Sequence, residues 1–512
     1  MIMNTLLVDS SLIAVSILLL IVSMLWWIWK SSTKMPPGPR GLPIVGYLPF
    51  LREDLHNQFI ELAHKYGPIY KFWIGNKLCV VISSPSLIKQ VVRDHDTIFS
   101  NRDLSVATRI ATLDANDIAL SPYGPGWRDS RKLFVHQLMN NSSLDASYNL
   151  RKDQVMKAIK HVYSKIGTGV DICELVYEIV VSLMMSMAWG STVQGEARDK
   201  IGSGFLPLLA SVLEGMGKPN ISDYFPILSM FDIQGVGKEM KSLMQRVECV
   251  IGDIIDEGMK TGLNSDHKGD GFTDFVQMIV GLKEKDPVKI SSLTRTQVVG
   301  MFINIITSGN DTSSTIIWVM SELLNNPEVM EMARKELNEV VGLNNTVEEL
   351  HIPKLVYLDA VIKESMRLHP IAPFLIPRTP SKSCTVGGYT IPKNSGIFLN
   401  VFSVQRDPIA FDNPLEFKPE RFFNNSSSSA GKLDFRGNNF NYLPFGSGRR
   451  ICAGIPLAER LLRYILASLL HSFDWQLPEG ENLDMSDKLS TTLTRSTPLY
   501  AIPVPRLSDS NL

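Results

Sequence analysis

Cys452 sits where a reactive sulfur is easiest to build. It closes the run Phe445-Gly446-Ser447-Gly448-Arg449-Arg450-Ile451-Cys452-Ala453-Gly454. The glycines let a backbone pass close to a flat ligand and reach positive φ, and Arg450 can pair with an anionic group. An apolar helical pattern, Ile455–Leu469, begins just behind the cysteine. The thiol is therefore expected at a helix N-terminus, where orphan N–H groups and the dipole favour a thiolate. A soft anionic sulfur suits a transition metal; a buried structural thiol is the competing reading. With Cys79, Cys173, Cys249 and Cys384 the cysteines number five, far apart and without a CxxC pair. Neither a disulfide framework nor a zinc site is expected, and the compartment reads as reducing.

A second segment pairs an acid with a hydroxyl. Ser308-Gly309-Asn310-Asp311-Thr312-Ser313 lies between apolar Val298–Ile306 and Ile316–Met320. An acid at that place needs a reason: either proton chemistry, or a Thr312 that back-bonds to a carbonyl beside a solvated Asp311. Elsewhere Glu364 and Arg367 in Leu358–His369 share a helix face, as do Trp127 and Arg131 in Trp127-Arg128-Asp129-Ser130-Arg131. Taken alone, the first pair reads as a solvated ion pair, and the competing reading of the second is a surface helix with a buried indole.

Together these segments resemble a known family. The cysteine run matches, at every fixed position, the haem-binding signature Phe-x-x-Gly-x-Arg-x-Cys-x-Gly of cytochrome P450 enzymes. Pro419-Glu420-Arg421-Phe422 follows Glu364–Arg367 at the family's distance, and all the motifs occur in family order. Lys363–Pro370 and Ala453–Arg460 look like the plant microsomal group. Arg131–Ser143 and Ile455–Arg460 are similar to members acting on terpenoids and phenolics.

The resemblance implies a haem b (iron protoporphyrin IX) whose iron is ligated by Cys452. Phe445 would lie at the cofactor, and Arg450, Trp127, Arg131 and Arg378 would reach its propionates. It implies that Glu364, Arg367 and Arg421 form a buried triad serving the fold. It implies monooxygenase chemistry with O2, in which Thr312 steadies the oxygen and Asp311 with waters supplies protons. The chain departs from the family pattern at Ser308, where Ala or Gly is usual. No GxGxxG joins a strand to a helix, so electrons are expected from a partner, which the family identifies as NADPH-cytochrome P450 reductase. Arg128, Lys132 and Arg449 are candidate docking residues.

The elements that must hold these residues are mainly helical. Helical patterns cover Val155–Tyr163, Phe205–Gly215, Lys238–Thr261 and Ser291–Asn325; β-prone runs are Ile69–Gly75 and Leu78–Ser83 around Asn76-Lys77, Cys384–Val401 with a Gly387-Gly388 turn, and Leu499–Val504. The fold class is mainly α with a minor β region, the cytochrome P450 fold, preceded by one transmembrane helix. The chain of 512 residues divides into an anchor at 6–29, a proline-rich hinge at 30–46 and a catalytic domain at 47–512. The anchor rests on an uncharged run from Ser11 to Trp29, long enough for a bilayer core. Lys30, Lys34 and Arg40 on its C-terminal side direct the domain to the cytosol, as a single-pass protein of the endoplasmic reticulum membrane in contact with lipid. The 424–437 loop is Ser- and Asn-rich and reads as mobile.

A net charge of −1 without a basic stripe sets nucleic acid aside. Phe302, Ile305, Ile306, Ile371, Ala372, Phe374, Leu375, Thr491, Thr492 and Leu493 are expected near the substrate or in the core, with Val106–Leu120 as a cap. The apolar lining suits a hydrophobic small molecule, a terpenoid before a flavonoid. Two rivals stay open: a haem-thiolate isomerase or dehydratase that needs no reductase, against which Asp311-Thr312 argues, and a non-catalytic haem-binding membrane protein.

Overall fold

The computed structural model describes residues 34–190, 196–262, 273–285, 294–423, 433–480 and 482–507. The expected anchor at 6–29 and positions 424–432 of the serine-rich loop lie outside them.

Among the helices that position the site are α1 (Val106–Ala111), α2 (Pro125–Gln137), α3 (Ile172–Trp189), α4 (Arg295–Asn325), α5 (Val356–Leu368) and α6 (Ile455–Ser472). The sequence reading did not single out α3. It is apolar almost all round, which marks a helix for a core or a bilayer. By length and composition it could cross a membrane, yet 72% of it is buried inside the fold. It forms the pole against which α4 packs. Asp171 starts it by accepting the N–H groups of Cys173 and Glu174.

The helix α4 opens with a capping box between Thr294 and Gln297. Gly309 lets it approach α3: a Cβ there would lie 3.2 Å from the side chains of Val180 and Met184. The acid-hydroxyl segment is therefore held against α3.

Helix α5 carries the expected triad. Glu364 takes two hydrogen bonds from Arg367, at 2.7 and 2.8 Å, and one from Arg421 at 3.2 Å. Glu364 and Arg367 are fully buried, and Arg367 also donates to the carbonyls of Gln405, Pro414 and Glu416. Removing one partner strands a charge in the interior. Glu364→Ala is expected to cost about 3–5 kcal/mol, read as lost folded yield and a lowered denaturant midpoint. A variant as stable as the parent would show the pair to be dispensable.

The main sheet joins five strands in the order Ile69–Ile74, Lys77–Ile82, Gly396–Leu399, Arg378–Thr379, Asn101–Arg102. Strands β1 (Ile69–Ile74) and β2 (Lys77–Ile82) form the expected hairpin, but the turn is Gly75-Asn76, one residue earlier than the Asn76-Lys77 expected. Gly75 supplies its positive φ of 53°. The Cys384–Val401 region splits between two sheets. Strands β6 (Cys384–Val386) and β7 (Tyr389–Ile391) pair across Gly387-Gly388, while β8 (Gly396–Leu399) runs parallel to β2. The short strands β3 (Asn101–Arg102) and β5 (Arg378–Thr379) pair antiparallel and set Arg102 directly against Arg378. Part of the proline-rich segment lies along β1, with Lys71 N–H donating to the Pro37 carbonyl at 2.8 Å and Gly75 N–H to the Val45 carbonyl at 3.0 Å.

Candidate active site

Cys452 ends a loop that only glycine permits. Gly446 and Gly448 take φ of 72° and 71°, and a Cβ on Gly448 would stand 2.2 Å from the Val92 carbonyl oxygen. The loop returns on itself through the Cys452 N–H, which donates to the Phe445 carbonyl at 3.0 Å. The half-buried Phe445 ring meets Phe435 edge-on at 5.1 Å. The chain then enters α6 directly, so the sulfur faces the first N–H groups of that helix. Burial pushes the thiol up, donation from Gly454 and the charge of Arg131 pull it down, and the charge of Asp311 pushes it up. The side chain is enclosed by protein yet has open surface, as expected of a group that faces interior space.

Asp311 lies within electrostatic reach of that sulfur. Burial pushes its carboxyl from 3.8 up to about 6, although its own surface, like that of Ser308, is open. Both observations fit a carboxyl lining an interior space. Asn304, Ser308 and Asp311 occupy one face of α4, spaced four and three residues apart. Ser308 Oγ donates to the Ile305 carbonyl at 2.7 Å. Thr307, Ser313 and Thr315 back-bond to carbonyls in the same way. Among the described residues Thr312 makes no such bond, so its buried hydroxyl is not committed to the helix.

A cluster of guanidiniums lies beside the cysteine. Arg450 donates to the carbonyls of Ser100 at 2.7 Å, Ile118 at 3.4 Å and Ser121. Its plane stacks 4.2 Å from the Trp127 ring, with Arg131 at 5.5 Å from the same ring. Trp127 Nε1 donates to the Ile118 carbonyl at 2.8 Å, and Arg131 donates to the Ile451 carbonyl. The indole is thus a platform for two arginines and gives its proton to the loop. Arg378 donates to the Ser447 carbonyl at 2.9 Å and reaches Asp96 at 3.5 Å, and its Nε is buried without a partner.

Arg102 completes the cluster, donating to the carbonyls of Ala119 at 3.2 Å and Ile376 at 2.7 Å. Burial and then the charges of Arg378 and Arg450 press its pKa down. Burial and then Arg378 and Arg131 lower Arg450 to about 10, and burial lowers Arg378 to about 10 as well. The cluster holds more positive charge than Asp96 and Asp117 supply in return, and one orphan donor. That is the complement of a buried group bearing two carboxylates, which haem b is. The residues fit the group: sulfur for the iron, arginines for the propionates, glycines for a flat face.

Sequence reasoning missed Arg102, because a two-residue strand carries no periodicity; only the pairing of β3 with β5 reveals it. It also missed Asp117. Of the two placements open to Phe302, at the substrate or in the core, its packing selects the core. Phe302 is fully buried, against Trp189 at 6.2 Å and Phe275 at 4.8 Å, and belongs to the core. Phe374 likewise packs on Phe59 at 4.8 Å.

A cysteine at a helix N-terminus, an acid within its electrostatic reach, and a surplus of buried arginine define a haem-thiolate protein. The comparisons agree. The cytochrome P450 family model matches residues 36–503. A flavonoid 3'-monooxygenase of Petunia hybrida is 35% identical over 484 residues, covering 92% of each chain. A geraniol 8-hydroxylase of Swertia mussotii is 35% identical over 93% of this chain and 94% of its own. A ferruginol synthase of Salvia fruticosa is 34% identical over 95% and 98%. A zebrafish cytochrome P450 solved with abiraterone superposes with a TM-score of 0.73 at 22% identity, over 89% of this chain and 99% of that one. This chain belongs to the cytochrome P450 family. It is a monooxygenase that binds haem b.

Proposed function

We propose that this chain is a membrane-anchored monooxygenase that hydroxylates a hydrophobic plant specialised metabolite, a terpenoid before a flavonoid, with electrons from NADPH-cytochrome P450 reductase. The observation that carries the reading is the placement of Asp311, next to Thr312 in the chain, within electrostatic reach of Cys452 and beside the arginine cluster. Haem, when bound, supplies the activation of dioxygen and the insertion of one oxygen atom into a C–H bond. The protein's own groups do the rest. Cys452 ligates the iron. Phe445 packs behind the cysteine loop. Arg102, Arg131, Arg378 and Arg450 hold the carboxylates, with Trp127 as their support. Asp311, which holds its proton up to about pH 6, would act as the proton donor beside the haem, and the Thr312 hydroxyl would offer a hydrogen bond there.

Relatives of near-equal similarity bear the names of flavonoid and terpenoid oxidations, so identity does not rank the two. The lining does. Several polar side chains of α4, among them Asn304, Thr307, Ser313 and Thr315, are already spent on hydrogen bonds within the protein, and a polyphenol needs more hydrogen-bond partners than a hydrocarbon. The test is reconstitution with reductase, NADPH and a panel of both classes. A type I spectral shift and a product dependent on both reductase and NADPH support the reading. Product formed from a hydroperoxide without either would replace it.

Membrane contact is supported by an apolar surface at the tip of the β1–β2 hairpin. Ile44, Phe50, Ile227, Met230, Phe231 and Ile233 are 45–83% exposed, and Asn76 N–H to the Tyr224 carbonyl at 3.0 Å ties the second group to the hairpin. Such a patch on a soluble face is unusual. In Phe231→Trp, the fluorescence gained over the parent chain is expected to be quenched in nanodiscs whose lipids are brominated on the acyl tail. Equal emission in brominated and plain lipid would remove the patch from the bilayer.

A further inference from the structure

The loop from 113 to 121 begins on a costly backbone. Leu113, Asp114 and Ala115 have φ of 52°, 60° and 59°. Three successive side-chain-bearing residues in the left-handed region persist only where their surroundings over-determine them. Two residues later the loop meets α4 through the buried Asp117 and the half-buried Asn304. Asn304 Nδ2 donates to Asp117 Oδ2 at 3.0 Å. Asn304 Oδ1 accepts the N–H of Ile118 at 2.8 Å and of Ala119 at 3.4 Å. Asp117 Oδ1 accepts the N–H of Leu120 at 2.9 Å and of Ser121 at 3.0 Å. One turn earlier, Gly300 lets the helix press on the loop, since a Cβ there would stand 2.4 Å from the Asn116 carbonyl oxygen.

The same peptides face the other way as acceptors. The Ile118 carbonyl takes Trp127 Nε1 and Arg450, the Ala119 carbonyl takes Arg102, and the Ser121 carbonyl takes Arg450. Residues 118, 119 and 121 thus give their N–H groups to the pair and their carbonyls to the arginine cluster. We propose that Asp117 and Asn304 are a positioning pair that locks this loop to α4 and, through its carbonyls, sets the guanidiniums on which the cofactor's carboxylates rest. The inference depends on the reading of that cluster as the propionate anchor.

The test exchanges the two side chains in the full-length haem protein. Asn304→Asp alone sets two carboxylates face to face, and Asp117→Asn alone removes the charge-assisted bonds. The double exchange Asp117→Asn with Asn304→Asp can rebuild every bond: the carboxylate at 304 accepts Ile118, Ala119 and the amide at 117, whose oxygen accepts Leu120 and Ser121. Haem loss is followed by the decay of the reduced carbonyl spectrum, and propionate hydrogen bonding by its resonance Raman bending bands. Asn304→Asp is expected to speed haem loss about tenfold or more, with shifted propionate bands, and the double exchange to return both to within about twofold of the parent.

Val319→Ala, a core truncation further along α4, is the control. It lowers stability without moving the propionate bands. Singles with parental bands, or a double exchange no better than Asn304→Asp, would overturn the pairing. If both singles fail to fold, the double decides: folded with parental bands supports the pair, unfolded overturns it. Arg450→Lys separates the two levels. Parental bands in that variant defeat the anchor reading itself, whereas shifted bands there with silent pair variants defeat only the positioning inference.

Discussion

Cys452→Ser is expected to erase the thiolate signature of the reduced carbonyl complex and to lower product formation far beyond the roughly 10–100-fold that losing a metal site's supporting hydrogen bond costs. A serine hydroxyl is a hard, weakly acidic donor where the iron needs a soft anionic sulfur, and the electron density that favours O–O cleavage goes with it. The N–H groups at the start of α6 stay in place, so the deficit is chemical and not architectural. Serine at the other four cysteines is expected to leave the spectrum unchanged. Cys79 is buried, with its thiol pushed up to about 12 by that burial, and Cys173 accepts the Leu499 N–H at 3.4 Å. The variant is scored by carbonyl difference spectra alongside total haem. A thiolate band that survives in Cys452→Ser would assign the iron to another side chain.

Asp311→Asn is expected to make the protein more stable and a much poorer catalyst. Burial raises this carboxyl from 3.8 to about 6, so the folded chain holds a proton that the unfolded chain has released. Native stability therefore declines as pH rises through that interval and stays lowered above it. Asparagine has no ionised form to bury. The variant should match the parent at the acid end, gain on it as pH rises to about 6, and keep the gain at neutrality.

Turnover moves the opposite way. Losing a positioned proton donor costs about 10²–10⁴-fold, and the limb of the pH–rate profile near 6 should vanish with it. Thr312→Ala provides the contrast. Its hydroxyl holds the proton's target and not the proton, so NADPH oxidation should continue while product gives way to hydrogen peroxide. Full coupling in Thr312→Ala would take that hydroxyl out of the reaction. An unchanged pH profile in Asp311→Asn would do the same for the carboxyl.

Much of this site is local, and local chemistry is legible in a sequence. The Cys452 loop needs glycine at two positive φ positions and a helix start immediately behind it, all within ten residues. Asp311 and Thr312 announce themselves because an acid and a hydroxyl interrupt an apolar helix. Glu364 and Arg367 are one turn apart, so their pairing follows from helical geometry before any fold is known.

Other features arise only when distant segments meet. Arg102 becomes part of the cluster because β3 pairs with β5, two strands too short to leave a pattern. Asp117 meets Asn304 across 187 positions of chain, and which polar atoms satisfy each other at such a distance is set by packing alone. Phe302, one of many apolar residues on α4, could face the substrate or the core until Trp189 and Phe275 close over it. Residue type and short-range periodicity thus determined the reactive groups, while long-range burial decided which charges stand together, what shares their hydrogen bonds and which apolar faces are already covered.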